Sequence, residues 1–280
     1  MKPHPRILLL FVLVLPLVSC QNREAYQLLG QASRLERAGR LREAVALCDR
    51  AVEISGSDPY LLTEAGLVNL KAGRVEAALE YLAMARGMAP SYIRALRGLA
   101  AASAALGDTQ TAVDALGRLR DLATGDPETN LEVGRLYRSL GRSELALEAF
   151  ERALGSSPNL WQVQAEIGLA YYERRDFSRA AEAYRRALTL NPWDSRTMNN
   201  LAWMYAEQGI LLEDALGLSV RSLEITPDQP IYLDTLAEIY YRLGDRQLAV
   251  SLIRRAIAID PQTDHYRNHL QKYLSALEGA

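Results

Sequence analysis

Histidine supplies the first candidate for chemistry in this 280-residue sequence, because an imidazole can bind a metal or move a proton near neutral pH. His265 and His269 stand four residues apart, which places both rings on one face of a helix and can hold zinc. Tyr, Arg and Asn separate them, so no third ligand is evident. The sequence therefore favours two solvent-facing residues, and no metal site is expected.

Nucleophilic and phosphate chemistry has even less material. His4 is the remaining histidine and lies near the N-terminus, so a catalytic triad would need His265 or His269. Cys48 falls on the inner face of a predicted helix, which is typical of a buried structural thiol. Neither G-x-x-x-x-G-K-[ST] nor G-x-G-x-x-G occurs. We expect no enzyme activity, no cofactor and no small-molecule substrate.

The charge balance and the cysteine count exclude further classes of protein. Thirty-two Lys and Arg stand against 34 Asp and Glu, for a net charge of -2, so a basic surface for nucleic acid is not predicted. Two cysteines cannot form a disulfide scaffold. A hydrophobic content of 49% is enough for a substantial packed core.

The N-terminus has the arrangement of a secretory signal. Lys2 and Arg6 form a short basic segment, and the apolar run Ile7–Val18 follows it. As a helix this run would rise about 18 Å, short of the roughly 30 Å of a bilayer core. Residues 17–20 are Leu-Val-Ser-Cys, which resembles the bacterial lipoprotein box. The resemblance implies cleavage before Cys20 and a diacylglycerol on its sulfur.

By this resemblance, residues 1–19 are a lipoprotein signal peptide and residues 20–24 are the lipidated N-terminus and a short tether. Gln21 stands where an Asp would favour the inner membrane, so the outer membrane is preferred. We expect a protein of a bacterial cell envelope that faces the periplasm and contacts the membrane through lipid on Cys20. The alternatives are an ordinary cleaved signal with a chance cysteine, and an uncleaved anchor.

A period of 34 residues organises the rest of the chain. Glycines in helix-turn contexts follow it at Gly39, Gly73, Gly107, Gly141, Gly209 and Gly244, with Arg175 at the position midway between the fourth and fifth. A column of alanines follows it at Ala44, Ala78, Ala112, Ala146, Ala180, Ala215 and Ala249. Both columns place one extra residue within 210–214. Each period predicts two amphipathic helices, and Asp58-Pro59 and Asp126-Pro127 predict an N-cap followed by the first helical residue.

A family resemblance rests on the residues within each period. In residues 127–160, Gly134 precedes Tyr137 by three residues, and Ala146, Phe150 and Ala153 follow in the second helix. This pattern resembles the tetratricopeptide repeat. It implies an all-α fold, a right-handed solenoid of about seven helix-turn-helix repeats with a C-terminal capping helix. The repeats would occupy 25–58, 59–92, 93–126, 127–160, 161–194, 195–229 and 230–263, with the capping helix and tail at 264–280.

The same resemblance implies that first helices line a concave groove where a protein or peptide partner binds. Columns ten, six and three residues before each turn face that side. One group is basic and suits acidic side chains or a C-terminal carboxylate: Arg94, Arg97, Arg135 and Arg138. The other is aromatic and amide and suits a peptide backbone with apolar anchors: Tyr172, Asn199, Trp203 and Tyr241. The alternative is that these residues are merely solvated or packed.

The expected function is a lipid-anchored envelope scaffold that supports a pilus, secretion or outer-membrane assembly machine through its groove. It is similar in plan to outer-membrane repeat lipoproteins that assist pilus secretins, outer-membrane protein assembly or peptidoglycan hydrolases. A platform of a polysaccharide-export system and a regulator of a cell-wall enzyme are alternatives. A metal-dependent enzyme that uses His265 and His269 is a more distant one.

Overall fold

The computed structural model describes the backbone of residues 6–278 and the side chains of residues 22–277. Within these limits it holds fifteen α-helices and no strand, so the all-α fold is confirmed. The signal peptide expected at 1–19 and the lipidation of Cys20 lie outside the residues whose side chains are described. The helices are α1 (Arg6–Arg37), α2 (Leu41–Ser55), α3 (Pro59–Lys71), α4 (Val75–Met88), α5 (Ile93–Ala105), α6 (Thr109–Leu122), α7 (Pro127–Ser139), α8 (Ser143–Ser156), α9 (Trp161–Glu173), α10 (Phe177–Leu190), α11 (Ser195–Gln208), α12 (Leu212–Ile225), α13 (Pro230–Leu243), α14 (Arg246–Ile259) and α15 (Asp264–Glu278).

Helix starts follow the sequence period. Each repeat boundary expected from residue 59 onward coincides with the first residue of an odd-numbered helix, from Pro59 in α3 to Pro230 in α13. Asp58 and Asp126 accept hydrogen bonds from backbone N–H groups of the first turns of α3 and α7, with Pro at the first helical position. The two predicted N-caps are therefore confirmed.

The turns inside the repeats use a left-handed residue. All six glycines of the 34-residue column have φ between 66° and 93°, where an L side chain is disfavoured. Arg175 takes the same place with φ 61°, at a cost of about 1 kcal/mol. The extra residue falls beside Leu211, which also has a positive φ of 48° and precedes α12. The insertion is thus absorbed in a turn, and the helices on either side keep their ordinary lengths.

Helices α1 to α7, up to residue 142, form one compact unit. Each helix packs on the next along the chain, and the first helices α1, α3, α5 and α7 also contact one another in sequence. The core is built from alanines and leucines, with Cys48 fully buried among them. The expectation of a buried thiol is therefore confirmed, and burial raises its pKa to about 12, which disfavours the thiolate.

Helices α8 to α15, from residue 143 onward, form the second unit. Here the first helices α9, α11 and α13 contact one another in sequence, and α15 packs on α14. Tyr266 and Tyr273 bury their rings from α15 in a cluster with Leu233, Ala237 and residues of α14. The predicted capping helix therefore covers the apolar end of the last repeat. Among the residues that the structure describes, no helix has an apolar stretch long enough to cross a membrane.

Close helix approach within a repeat depends on glycine at particular positions. A Cβ added to Gly168 in α9 would lie 2.5 Å from the Tyr184 ring of α10, which is fully buried. Gly217 in α12 is exposed, with no atom within 4 Å of such a Cβ. The two positions differ in surroundings although both lie in helices.

We therefore expect Gly168→Ala to lower the free energy of unfolding by about 1–2 kcal/mol, since overpacking of about 1–3 kcal/mol outweighs the gain in helix propensity. Gly217→Ala, the matched control, should raise it by about 0.5–1 kcal/mol. Urea denaturation followed by circular dichroism measures both. Equal shifts of the same sign would show that Tyr184 does not set the helix spacing.

Candidate functional site

A cavity of about 260 Å³ lies in the second unit, against the first helices of its repeats. Most of its wall is apolar, and a few polar groups converge on it, which is the usual composition of a binding pocket. We call it the α11 pocket, after the helix that carries Asn199 and Trp203. Its lining residues come from α9, α10, α11, α13, α15 and the turn before α15: Leu169, Tyr172, Tyr184, Asn199, Asn200, Trp203, Ile231, Asp234, Thr235, Thr263, His265 and Tyr266.

Trp203 is held in place by a short chain of hydrogen bonds. Its indole Nε1 donates to the Tyr172 hydroxyl at 3.0 Å, and that hydroxyl donates to Glu207 Oε2 at 2.8 Å. Burial, together with the hydrogen bond to Glu207, raises the pKa of Tyr172 to about 12, so the phenol keeps its proton. The structure therefore brings Tyr172 and Trp203 together as the sequence columns predict, with the indole face fixed as one wall.

Asn199 is the polar group that the pocket leaves unsatisfied. Its side chain is 4% exposed, and its buried Oδ1 accepts no hydrogen bond from the described residues. A buried acceptor without a partner costs about 1–3 kcal/mol. A peptide N–H that entered the pocket would reach this inaccessible oxygen after a rotation of the amide, and the new hydrogen bond would recover the cost. Asn199 thus lines the pocket together with Trp203, in the inward column where the sequence places it.

Asp234 and the two histidines of α15 form a cluster at the edge of the same pocket. His265 Nε2 lies 3.1 Å from Asp234 Oδ2, and His269 Nδ1 lies 2.6 Å from Asp234 Oδ1. The imidazole centroids are 4.2 Å apart, and Trp203 stacks on His269 at 6.1 Å. The expectation that both histidines face solvent is wrong for His269, whose side chain is 15% exposed. The third member of the cluster, which the spacing of the two histidines does not reveal, is the Asp234 carboxylate of α13.

Tyr241 does not line the α11 pocket. Its ring stacks on Tyr273 of α15 with centroids 4.8 Å apart, and Lys272 Nζ lies 4.6 Å from the same ring. The structure therefore does not bring Tyr241 into the α11 pocket with Tyr172, Asn199 and Trp203, because its ring packs against the capping helix.

The carboxylate of Glu238 lies on α13, one turn from Asp234, and binds side chains of the capping helix α15. It accepts hydrogen bonds from Lys272 Nζ at 2.7 Å, from Arg242 Nε at 2.7 Å and from the Tyr273 hydroxyl at 2.9 Å. Burial alone would raise the pKa of Glu238, but these donors outweigh it and hold the pKa below its usual range. The cations Lys272 and Arg242 are thus already bound to a buried anion.

The four arginines of the predicted basic stretch lie on α5 and α7 of the first unit, but acidic residues share the surface. Arg94 Nε is 2.5 Å from Glu64 Oε1, and Arg97 Nε is 2.7 Å from Glu132 Oε2. Burial raises the pKa of Glu132 above its usual value, and the nearby Arg97 and Arg135 offset only part of this rise. Arg138 is half-buried on α7. Basic and acidic side chains therefore alternate on this surface, and its positive charge is lower than the four arginines alone would give.

Comparison with known proteins assigns the family. Models described as "Tetratricopeptide repeat" match residues 63–127, 127–160, 165–230 and 233–265, which together exceed half of the chain. The chain belongs to the tetratricopeptide repeat family. Proteins built from these repeats are protein-interaction scaffolds, and this role now applies to the chain in that general sense.

Several solved structures share the tetratricopeptide fold. A tetratricopeptide repeat protein from Parabacteroides merdae is 16% identical over 90% of this chain and 99% of its own, with a TM-score of 0.72. PilF of Pseudomonas aeruginosa is 17% identical over 78% and 97%, with a TM-score of 0.61. A chain of the APC/C hetero-tetramer Cut9-Hcn1 is 20% identical over 87% of this chain, with a TM-score of 0.63. This chain spans about half the length of that one.

Such low identities establish the tetratricopeptide fold alone. No curated protein sequence matches the chain. The residues of the pocket must therefore be interpreted from their own geometry.

Sequence columns found part of this tetratricopeptide pocket and missed the rest. Asp234 stands ten residues before Gly244, as Asn199 stands ten before Gly209, so it was in an inward column but was not assigned to the site. His265 and His269 follow Asp234 by 31 and 35 residues, close to one period. Residues about one period apart lie on the same face, so this separation could have predicted that α15 packs beside α13. No comparable spacing indicates that Leu169 and Ile231 line the pocket.

An unsatisfied amide gives a stability test of the tetratricopeptide pocket. We expect Asn199→Leu to keep or raise the free energy of unfolding, by up to about 1 kcal/mol, because it removes a buried acceptor that forms no bond. Asn130 of α7 is the matched control, since its Nδ2 donates to the Ala123 and Asp126 carbonyls at 3.0 and 2.9 Å.

Asn130→Leu should lower the free energy of unfolding by about 1–3 kcal/mol because two side-chain hydrogen bonds to backbone carbonyls are lost. Chemical denaturation of both variants makes the comparison. A large loss for Asn199→Leu would mean that Asn199 is a structural residue.

Proposed function

We propose that the protein is a lipid-anchored scaffold of a bacterial envelope and that its α11 pocket binds an extended segment of a partner protein. The partner would belong to an envelope machine for pilus, secretion or outer-membrane assembly. The observation that carries the binding step is the buried, unsatisfied Oδ1 of Asn199 beside the fixed indole of Trp203. Together they offer one acceptor and one flat apolar surface.

The chemistry of the pocket suits a peptide better than a charged or nucleotide ligand. Asn199 would accept one backbone N–H, and an apolar side chain of the segment would pack against Trp203, Leu169 and Ile231. No Arg or Lys is among the described residues that line the pocket, so it offers no such cationic side chain to a phosphate or carboxylate group. Backbone recognition with an apolar anchor gives affinity without demanding a long motif.

Support for a membrane-proximal scaffold comes from the packing of α1. Ala25, five residues beyond Cys20, is already fully buried, and Ser55 donates to Asn22 Oδ1 at 2.7 Å. A chain that begins at a lipidated Cys20 would keep every described contact of α1. Residues 20–25 belong to α1, and a helix rises about 1.5 Å per residue, so the lipid would hold the first repeat close to the bilayer.

The pocket is tested by affinity capture with Trp203→Ala plus Tyr172→Ala. We expect this variant to lose a subset of the proteins that co-purify with wild type after cross-linking, because both walls of the pocket are removed. Trp193→Ala plus Tyr60→Ala is the matched control, since it deletes the same residue types at exposed positions outside the pocket; Trp193 is 72% exposed. The control should retain that subset.

Asn199→Leu provides a second test that does not depend on removing large side chains. A recovered partner should bind this variant at least about tenfold more weakly by calorimetry, the loss expected when one buried hydrogen bond of about 1.4 kcal/mol cannot form. Identical partner sets from wild type and the double variant, with equal affinities for Asn199→Leu, would reject the pocket as the binding site.

The anchor is tested by Cys20→Ser, with Cys48→Ala as the matched control at the buried thiol. Wild type and Cys48→Ala should incorporate labelled palmitate and sediment with membranes. Cys20→Ser should do neither, because stable anchoring needs the acyl chains. Label in the Cys20→Ser protein, or an unlabelled and freely soluble wild type, contradicts the lipoprotein assignment.

A further inference from the structure

Two histidines and one carboxylate meet at the junction of α13 and α15. Asp234, His265 and His269 each offer a ligand atom, and these atoms lie within 4.8 Å of one another. Asp234 is fixed in a buried helix, His269 is packed between Trp203 and Tyr273, and His265 reaches in from the exposed side. From this cluster we infer that the protein has a Zn²⁺ site with Asp234, His265 and His269 as ligands.

Distances fit a tetrahedral ion with little rearrangement. Zinc binds nitrogen and oxygen at about 2.0–2.2 Å, so adjacent ligand atoms of a tetrahedron are about 3.3 Å apart. The two nitrogens lie 3.1 and 2.6 Å from the Asp234 oxygens. Since all three ligand atoms lie within 4.8 Å of one another, each pair is within about 1.5 Å of the tetrahedral spacing, and side-chain adjustment brings them to it.

The kind of ligand selects the metal. Two imidazoles and a single carboxylate suit zinc and its neighbours in the transition series, whereas Mg²⁺ and Ca²⁺ prefer shells made of oxygen. The nearby cations do not oppose an ion, because Lys272 and Arg242 are bound to Glu238. The cluster thus has the charge and the ligand types of a zinc site.

Three protein ligands leave one coordination position. Asp234 and His265 both line the α11 pocket, so the fourth position opens towards that cavity and takes water or a group from another molecule. The ion would also link the capping helix α15 to α13 of the last repeat, because each helix supplies at least one ligand. This inference goes beyond the proposed function, since zinc would bind whether or not a peptide enters the pocket.

Direct metal titration tests the site on untagged, full-length protein freed of metal with a chelator. We expect one Zn²⁺ per chain by calorimetry, and Co²⁺ in its place should give the visible absorption of a tetrahedral site. Zinc should raise the melting temperature, because it binds the folded chain. Mg²⁺ should change neither quantity.

His265→Ala and Asp234→Asn each remove one ligand and should weaken zinc binding by at least about tenfold. The His265 side chain is 54% exposed, so its loss leaves the fold intact. Asp264→Asn is the matched control, since it removes an exposed carboxylate at the start of α15 and none of the ligands. It should bind zinc as wild type does.

The alternative is that Asp234 is only a hydrogen-bond acceptor that ties the two histidines to α13. In that case wild type binds no zinc, or His265→Ala and Asp234→Asn bind it with wild-type affinity and stoichiometry. Either result overturns the inference. Circular dichroism of each variant distinguishes a lost ligand from a lost fold.

Discussion

Small side chains at fixed intervals set the spacing between helices, and the rest of the molecule depends on that spacing. The seven alanines of the 34-residue column, from Ala44 to Ala249, are all fully buried. The column seven residues further on is buried just as deeply, whether it carries Ala, Leu119 or Ser222. Because the helices approach so closely there, each repeat can rest on the next, and side chains one period apart reach the same face.

This regularity explains what the sequence could predict. Helix starts, the glycine turns and the buried columns all depend on contacts within one repeat or with its neighbour, and a 34-residue period records them directly. The turn at Arg175 also forms, although arginine disfavours a positive φ, because the packed helices on both sides fix the backbone there. Asn199 and Trp203 were found for the same reason, since their columns repeat.

Pairing between repeats was harder to predict. The Arg94–Glu64 and Arg97–Glu132 ion pairs join residues 30 and 35 apart, and the sequence columns give the face of each residue but not its partner. A basic stretch was therefore expected where charges alternate. The surroundings of Tyr241 were not predicted, because the columns give the face of this residue but not its contact with Tyr273 of α15. For the same reason the sequence alone did not place His265 and His269 beside Asp234.

The pocket combines features that oppose stability with features that fix geometry. Asn199 carries an unsatisfied oxygen, whereas Trp203 and Tyr172 are locked by hydrogen bonds. Natural proteins break local rules of this kind mainly at functional sites, which is why we propose a binding role for Asn199. The neighbouring Glu238 cluster supplies the opposite character, since three donors share one buried carboxylate and hold the capping helix in place.

The dependence of α13 on α15 also has a consequence for synthesis. Asp234 and Glu238 are nearly inaccessible to water in the folded chain, yet their partners His265, His269, Lys272 and Tyr273 are translated about thirty residues later. Until α15 leaves the ribosome, the last repeat must keep two carboxylates hydrated and an apolar surface uncovered. The order of translation therefore makes the closing of the second unit the last event of its folding.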